Sequence, residues 1–453
     1  MKKLISLLLA VMLLSLAACG SGGNNNSNNS SNSNNSSGSV PDSSTAPDNS
    51  STLTSNKVYR VLSGSGEGVA AYDLFNKIVT MYQQEVNADF QVEYEVITST
   101  ADLWQKLQMY YTGETLPDIF AISNGTLSEE FISKNKLVNL TQLLKDLGHY
   151  DEVASSMVDY FTSSDGQLYM FPSTFSGEFF VYRKSVFEQY NLQIPTTWDE
   201  FLNVCQVLKD NGEIPYVMRG ADYVQYLRFA SFPTWTTYGR DFIMGLTDRE
   251  YSYSESDLGL YAAQLLQKLG AGGYFVPGFE NMTLSDVVDT FMSGTGAMMY
   301  ANANYVTKLS DMYESGEIGW FAVPTVDGMK GTGSTIPTHG GKAWAINAES
   351  YENDPVLQDF TKYFFDHVDA VSYEIGALSW YNSDIPEGAL DAMMTDIGTE
   401  MKKQEVSWVS WDDRLTAATT TTVGDAAAQV VYGAITPEEF CEIFDKALVE
   451  NNG

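Results

Sequence analysis

Between residues 58 and 120 the apolar pattern changes period four times, and this alternation restricts the fold more than any other feature of the chain. Residues 58–62 form a short apolar run closed by Ser-Gly-Ser-Gly-Glu-Gly, which reads as a strand ending in a turn. Residues 69–84 then place Leu74, Ile78, Met81 and Tyr82 on one side of a helix. Phe90, Val92, Tyr94 and Val96 alternate with Gln91, Glu93 and Glu95, the signature of a strand. A helix over 102–111 and an apolar Leu-Pro-Asp-Ile-Phe at 116–120 complete a β-α-β-α-β order. Strands that alternate with helices of this length predict a parallel sheet with helices on its faces.

Further along, residues 165–215 carry an ordered set of short signals. Gly166 marks a turn, 167–171 a strand stopped by Pro172, 178–182 a second strand and 186–190 a short helix. Thr197 and Glu200 form a capping box that opens a helix with Phe201, Val204, Cys205 and Leu208 at helical spacing. Residues 216–238 are rich in aromatics, among them Tyr216, Tyr223, Tyr226, Phe229, Phe232, Trp235 and Tyr238. A helix over 284–292 runs into Phe291-Met292-Ser293-Gly294-Thr295-Gly296-Ala297-Met298. The segments 319–324 and 340–346 each read as a strand. Thr436, Pro437 and Glu439 mark the start of a last helix, with Ile435 placed to staple Phe440.

Five short motifs stand in a specific order: DGxxYxxP, Tyr182-Arg183-Lys184, PxTWDEF, KxxGxxP and FxxGxxAM. From about residue 57 to 453 the chain resembles the extracellular solute-binding proteins of ABC transporters, in the maltose-binding-like family that captures sugars and oligosaccharides. The resemblance implies an α/β, two-lobed periplasmic-binding-protein-like fold, each lobe a mostly parallel sheet flanked by helices, with the ligand cleft between the lobes. It implies a first lobe over 57–140 and 318–365, and a second over 141–317 with a helical tail over 366–453.

The chain opens with Lys2 and Lys3, an apolar and small-residue run over 4–18, and Leu16-Ala17-Ala18-Cys19. That is a secretory signal peptide over 1–18, too short to span a bilayer comfortably. The ending resembles a lipobox, which implies lipidation of Cys19. Residues 19–56 are almost wholly Asn, Ser and Gly and later Thr, Pro and Asp, with next to nothing to bury, so they read as a disordered tether. The implied place is the extracellular face of the cell membrane of a Gram-positive-like bacterium. Cys205 and Cys441 each fall on an apolar helical face and read as small core residues, although a disulfide between them is open.

With 25 basic and 58 acidic residues the formal charge is -33, which disfavours nucleic acid as a partner. Of the three histidines, His149, His339 and His367, none falls in a zinc spacing. No GxSxG, Walker A ending or EF-hand loop occurs, and no cofactor or metal is expected.

Sugars present apolar faces and polar rims, so their sites combine aromatic rings with carboxylates and amides. The resemblance places ligand contacts just after the DGxxYxxP motif, at Phe175, Ser176 and Glu178. Ser176 stands where maltose-type members carry an acid, and Glu178 is offset by two residues. After Ala297-Met298 many members carry GxW, and here Asn302 and Asn304 occupy those two places. Further cleft candidates are Glu67, Asn124 and Trp235. Trp380 and Tyr381 resemble another contact region, and Trp408 and Trp411 lie in a late loop. The expected function is capture of a sugar or oligosaccharide and its delivery to an ABC permease by a monomeric, non-enzymatic lipoprotein. The alternative is a secreted carbohydrate-active hydrolase with paired carboxylates.

Overall fold

The computed structural model describes residues 56–451; the expected signal peptide, Cys19 and almost all of the expected tether lie outside the described residues. Ten strands build two sheets: β1 (Val58–Ser63), β2 (Gln91–Val96), β3 (Ile119–Ile122), β4 (Phe171–Pro172), β5 (Ser176–Arg183), β6 (Tyr216–Val217), β7 (Met298–Asn302), β8 (Ile318–Phe321), β9 (Thr338–His339) and β10 (Ala343–Ile346). The first sheet runs β2-β1-β3-β10-β4 and the second β6-β7-β5-β8, with β9 also pairing β5. Each sheet with its flanking helices is one lobe.

The first lobe follows from the alternation at its start. β1 pairs in parallel with β2 and with β3, as helical crossovers require. The helix Ala70–Glu85 buries Leu74, Phe75, Ile78 and Tyr82. It meets the helix Pro355–Glu374, whose Phe360 stacks on Phe90 at 4.7 Å while Phe75 stacks on Trp344 at 4.9 Å. These large rings remove much apolar surface from water, at roughly 25 cal/mol per Å².

The second sheet is mostly antiparallel, so the molecule has mixed sheets rather than two parallel ones. β5 is antiparallel to β7, β8 and β9, and only β6 and β7 run together. Nearly every residue of β5 is buried, because β7 and β8 flank its two edges and helices pack on the sheet. Phe180 lies at the centre, its ring 5.3 Å from Phe321 and 5.5 Å from Phe201. A Cβ on Gly177 would stand 2.8 Å from Met401 Sδ, so a larger residue there would have to displace the Met401 side chain at the end of the helix Ala392–Met401.

Several boundaries differ from the sequence reading. The strand near 319 does not return to the first lobe: β8 pairs with β5, and the return is made by β10, antiparallel to β3 and β4. The first lobe also extends past residue 140. Val138 and Leu140 donate to the carbonyls of Ile346 and Leu168, and β4 closes the first sheet. A division at 365 would cut the continuous helix Pro355–Glu374. The chain therefore crosses between lobes three times, at 173–175, between β9 and β10, and after residue 374.

The capping box at Thr197 and Glu200 is present, as is that at Thr436 and Glu439. Cys205 and Cys441 are free and buried, and burial pushes the Cys441 thiol up to about 12. The aromatic run contains a helix, Val224–Tyr238, which is buried on almost all sides and carries Pro233 inside it.

Candidate ligand-binding cleft

Strand ends and crossings place the site. The turn after β1, the turn after β3 (Ser123–Gly125), the crossing 173–175, the end of β7, and the segments 378–381 and 406–416 belong to different lobes. Two cavities are lined from both lobes. One of about 900 Å³ takes Trp104, Gln108, Ser123 and Glu130 from the first lobe, and Tyr223, Asp412, Arg414 and Thr420 from the second. The other, about 160 Å³, is walled by Leu74, Phe175, Ser176, Val306, Leu378 and Trp380. Depressions of about 390 Å³ beside Arg60 and about 510 Å³ beside Lys57 touch the first lobe alone.

A buried charge network stands beside the larger cavity. Arg228, on the helix Val224–Tyr238, places Nε 3.2 Å from Glu178 Oε2, while its other arm lies 2.8 Å from Asp412 Oδ1. The same arm donates to Ser410 Oγ at 2.9 Å, and the guanidinium lies 4.4 Å over the Trp408 ring. Glu178 is 1% exposed, whereas the Asp412 side chain keeps 27% of its surface open. Burial pushes Glu178 up, against the pull of Arg228 and of the Tyr300 hydroxyl. Burial would also raise Asp412, but Arg228 and the Ser410 hydroxyl hold its carboxyl below the usual range. The cation thus keeps one ionised carboxylate at the cavity wall.

His339, on β9, is pushed down to about 4, first by burial and then by Arg228. A histidine held below its unfolded value of 6.5 stabilises the fold above that value, and the contribution is lost as pH falls toward 4. His149 has the opposite sign. Burial lowers it, but Asp366 and Glu152 outweigh burial and raise it, so its contribution is present below 6.5 and lost at higher pH. His339→Gln is expected to flatten the acid loss of unfolding free energy between pH 6.5 and 4 by up to about 3 kcal/mol. Denaturant titrations at a series of pH values check this, and an unchanged slope contradicts it.

The residues singled out in the sequence are distributed unevenly. Phe175, Ser176 and Trp380 come together around the smaller cavity. There the Ser176 hydroxyl and the Trp380 ring nitrogen are buried without hydrogen-bond partners among the described residues. Glu178 anchors Arg228 instead of lining either cavity. Glu67 is exposed in the turn after β1. Asn124 donates to the Tyr160 carbonyl, between two residues that line the larger cavity. Asn302 ends β7 opposite Glu178, and Asn304 lies in the short turn Ala303–Tyr305. Trp235, Tyr381 and Trp411 are core residues. Trp235 donates to the Ser407 carbonyl at 2.6 Å, Tyr381 to the Phe365 carbonyl at 3.1 Å, and Trp411 packs edge-on against Tyr253 and Phe444. Trp104, Tyr223, Arg228, Asp412 and Arg414 were not foreseen. Asp412 sits directly after Trp411 in the segment already marked, and nothing separates it in sequence from the other acids.

Among the described residues no group of three or more His, Cys, Asp or Glu could hold a metal ion. No described helix is long and apolar enough to cross a membrane.

The model for "Bacterial extracellular solute-binding protein" matches residues 66–371. An uncharacterized ABC transporter extracellular-binding protein of Pyrococcus horikoshii is 24% identical over 285 residues, 61% of this chain and 64% of that relative, so the match spans less than two thirds of the relative. A chitin oligosaccharide binding protein has a similar fold, with a TM-score of 0.69 at 19% identity, covering 88% of this chain and 100% of that one. The solute-binding protein RafE in complex with raffinose gives a TM-score of 0.60 at 17% identity, covering 86% of this chain and 98% of its own. With the family model spanning most of the folded part, the chain belongs to the bacterial extracellular solute-binding proteins.

Proposed function

We propose that the protein captures a sugar or oligosaccharide in the cleft between its lobes and hands it to an ABC transporter permease when the lobes close. The observation that carries this reading is the cavity of about 900 Å³ walled by both lobes, in which Trp104 and Tyr223 offer ring faces and Asp412, Gln108 and Thr420 offer hydroxyl-binding groups. That size lies at the upper end of small-ligand sites and suits a ligand longer than one sugar ring. Similar folds named for a chitin oligosaccharide and solved with raffinose support the same class. A ligand touched by both lobes favours the closed form by its differential affinity alone.

In this reading Cys19 carries the lipid, residues 19–56 are the tether, and the body works as a monomer on the extracellular face without catalysing a reaction. Phe175, Ser176 and Trp380 serve as a secondary contact region around the smaller cavity. The test is scattering from the purified protein with and without oligosaccharides, followed by chromatography of the sugar. A smaller radius of gyration with the sugar recovered intact is expected. A sugar consumed during incubation overturns the binding reading in favour of hydrolysis.

A further inference from the structure

The larger cavity carries charged side chains on the walls from both lobes. Asp412 lines it with Oδ1 tied to Arg228 and Ser410, which fixes the carboxylate while leaving part of it open. Thr420, on the same wall, has a buried hydroxyl with no hydrogen-bond partner among the described residues. Glu130 adds a second acid to the lining. Two guanidiniums oppose these charges, and both are already engaged. Arg228 is held between Glu178 and Asp412. Arg414 lies 3.6 Å from Asp248 and donates to Thr247 Oγ1, and Glu129 and Arg240, which also face it, offset one another. Tyr223, Tyr300 and His339, which also face Asp412 or Arg228, are neutral at pH 7. Among the residues that line the cavity the acids Glu130 and Asp412 outnumber the one base, Arg414, within a chain of formal charge -33.

We propose that Asp412 is the hydroxyl acceptor that sets the class of ligand, that Arg228 and Glu178 position it, and that the cleft takes uncharged or amino-bearing oligosaccharides and excludes uronates. The proposal rests on the sugar-binding reading. An ionised carboxylate accepts hydroxyl and ammonium hydrogens from fixed directions, and it repels a ligand carboxylate across a desolvated gap. Glu178 never meets the ligand. It acts by balancing Arg228, so that the Asp412 charge is not fully cancelled at the cavity wall.

The experiment is calorimetric titration of the whole protein with xylotetraose, cellotetraose, chitotetraose, deacetylated chitotetraose and tetragalacturonate at fixed salt. At least one uncharged or amino tetrasaccharide is expected to bind, with tetragalacturonate at least 10-fold weaker. Asp412→Asn is expected to weaken the bound sugar on the order of 10- to 100-fold, the scale of a charged hydrogen bond, while the disadvantage of tetragalacturonate shrinks. Glu178→Gln should shift that selectivity ratio in the same direction by a smaller factor, which a purely structural role would leave unmoved. Tetragalacturonate binding as tightly as the neutral sugars overturns the proposal, as does an Asp412→Asn protein with affinity within twofold of the parent. In both cases the sugar-binding reading survives. If no tetrasaccharide binds the parent protein, that underlying reading fails and the proposal falls with it.

Discussion

Replacing Arg228 with alanine is expected to cost about 3–5 kcal/mol of unfolding free energy, the cost of breaking a buried ion pair by removing one partner. The side chain joins Glu178 on β5 to Asp412 in the C-terminal segment and lies flat over Trp408. Removing it leaves Glu178, which is 1% exposed, as a buried carboxylate without a counter-charge. Glu178 would then take up a proton to avoid the uncompensated charge. The double variant Arg228→Met with Glu178→Gln is expected to recover more than half the loss, because both charges leave the interior together. Urea titrations of the parent, both single variants and the double variant give the coupling. An Arg228→Ala loss below about 1 kcal/mol would show that the network is solvated and that Asp412 is not held by it.

Phe180→Ala is expected to destabilise by about 3–5 kcal/mol, through lost transfer energy and the void left behind. Phe180 is fully buried at the middle of β5, among the rings of Phe321, Phe201, Tyr216 and Phe229. Those rings belong to separate elements of the second lobe and cannot collapse into the gap together. Phe180→Leu leaves a smaller void and should restore about half the loss. Thermal and denaturant unfolding followed at tryptophan measures both. Phe180→Ala within 1 kcal/mol of the parent would mean that the lobe repacks freely around β5, contrary to its close packing.

Local signals were legible wherever they were complete within a few residues. The β-α-β-α-β opening fixed the parallel core β2-β1-β3, and Thr197 with Glu200 named a helix start that the structure forms by the same two side chains. Cys205 and Cys441 were readable as core residues from their helical spacing. The helix Val224–Tyr238 was not, because a segment buried on nearly all sides has no apolar stripe and Pro233 argues locally against a helix. The placement of β8 was hidden for another reason. A four-residue apolar strand fits either sheet, and only its pairing with β5, more than a hundred residues earlier, decides which.

The site divides in the same way. Phe175, Ser176 and Trp380 were found through motifs and do share a cavity. Arg228 and Asp412 lie 184 residues apart, and neither belongs to a motif. Their significance comes from burial and mutual distance, which sequence spacing does not carry. Trp235, Tyr381 and Trp411 were selected as aromatics in plausible places, but Trp235 and Tyr381 donate to core carbonyls and the Trp411 ring packs against Phe444. An aromatic residue in a loop is as well suited to anchoring that loop as to meeting a ligand.

The central claim is that the cleft binds a sugar reversibly, and a thermal-shift screen against mono- and oligosaccharides tests it most directly. A ligand that binds the native state alone adds about 2.7 kcal/mol of stability at a hundred times its dissociation constant. One oligosaccharide is expected to raise the melting temperature with a logarithmic dependence on concentration, and Asp412→Asn is expected to need a higher concentration for the same shift. No shift with any sugar at millimolar concentration would contradict the account and turn the search to peptides, polyols and other solutes.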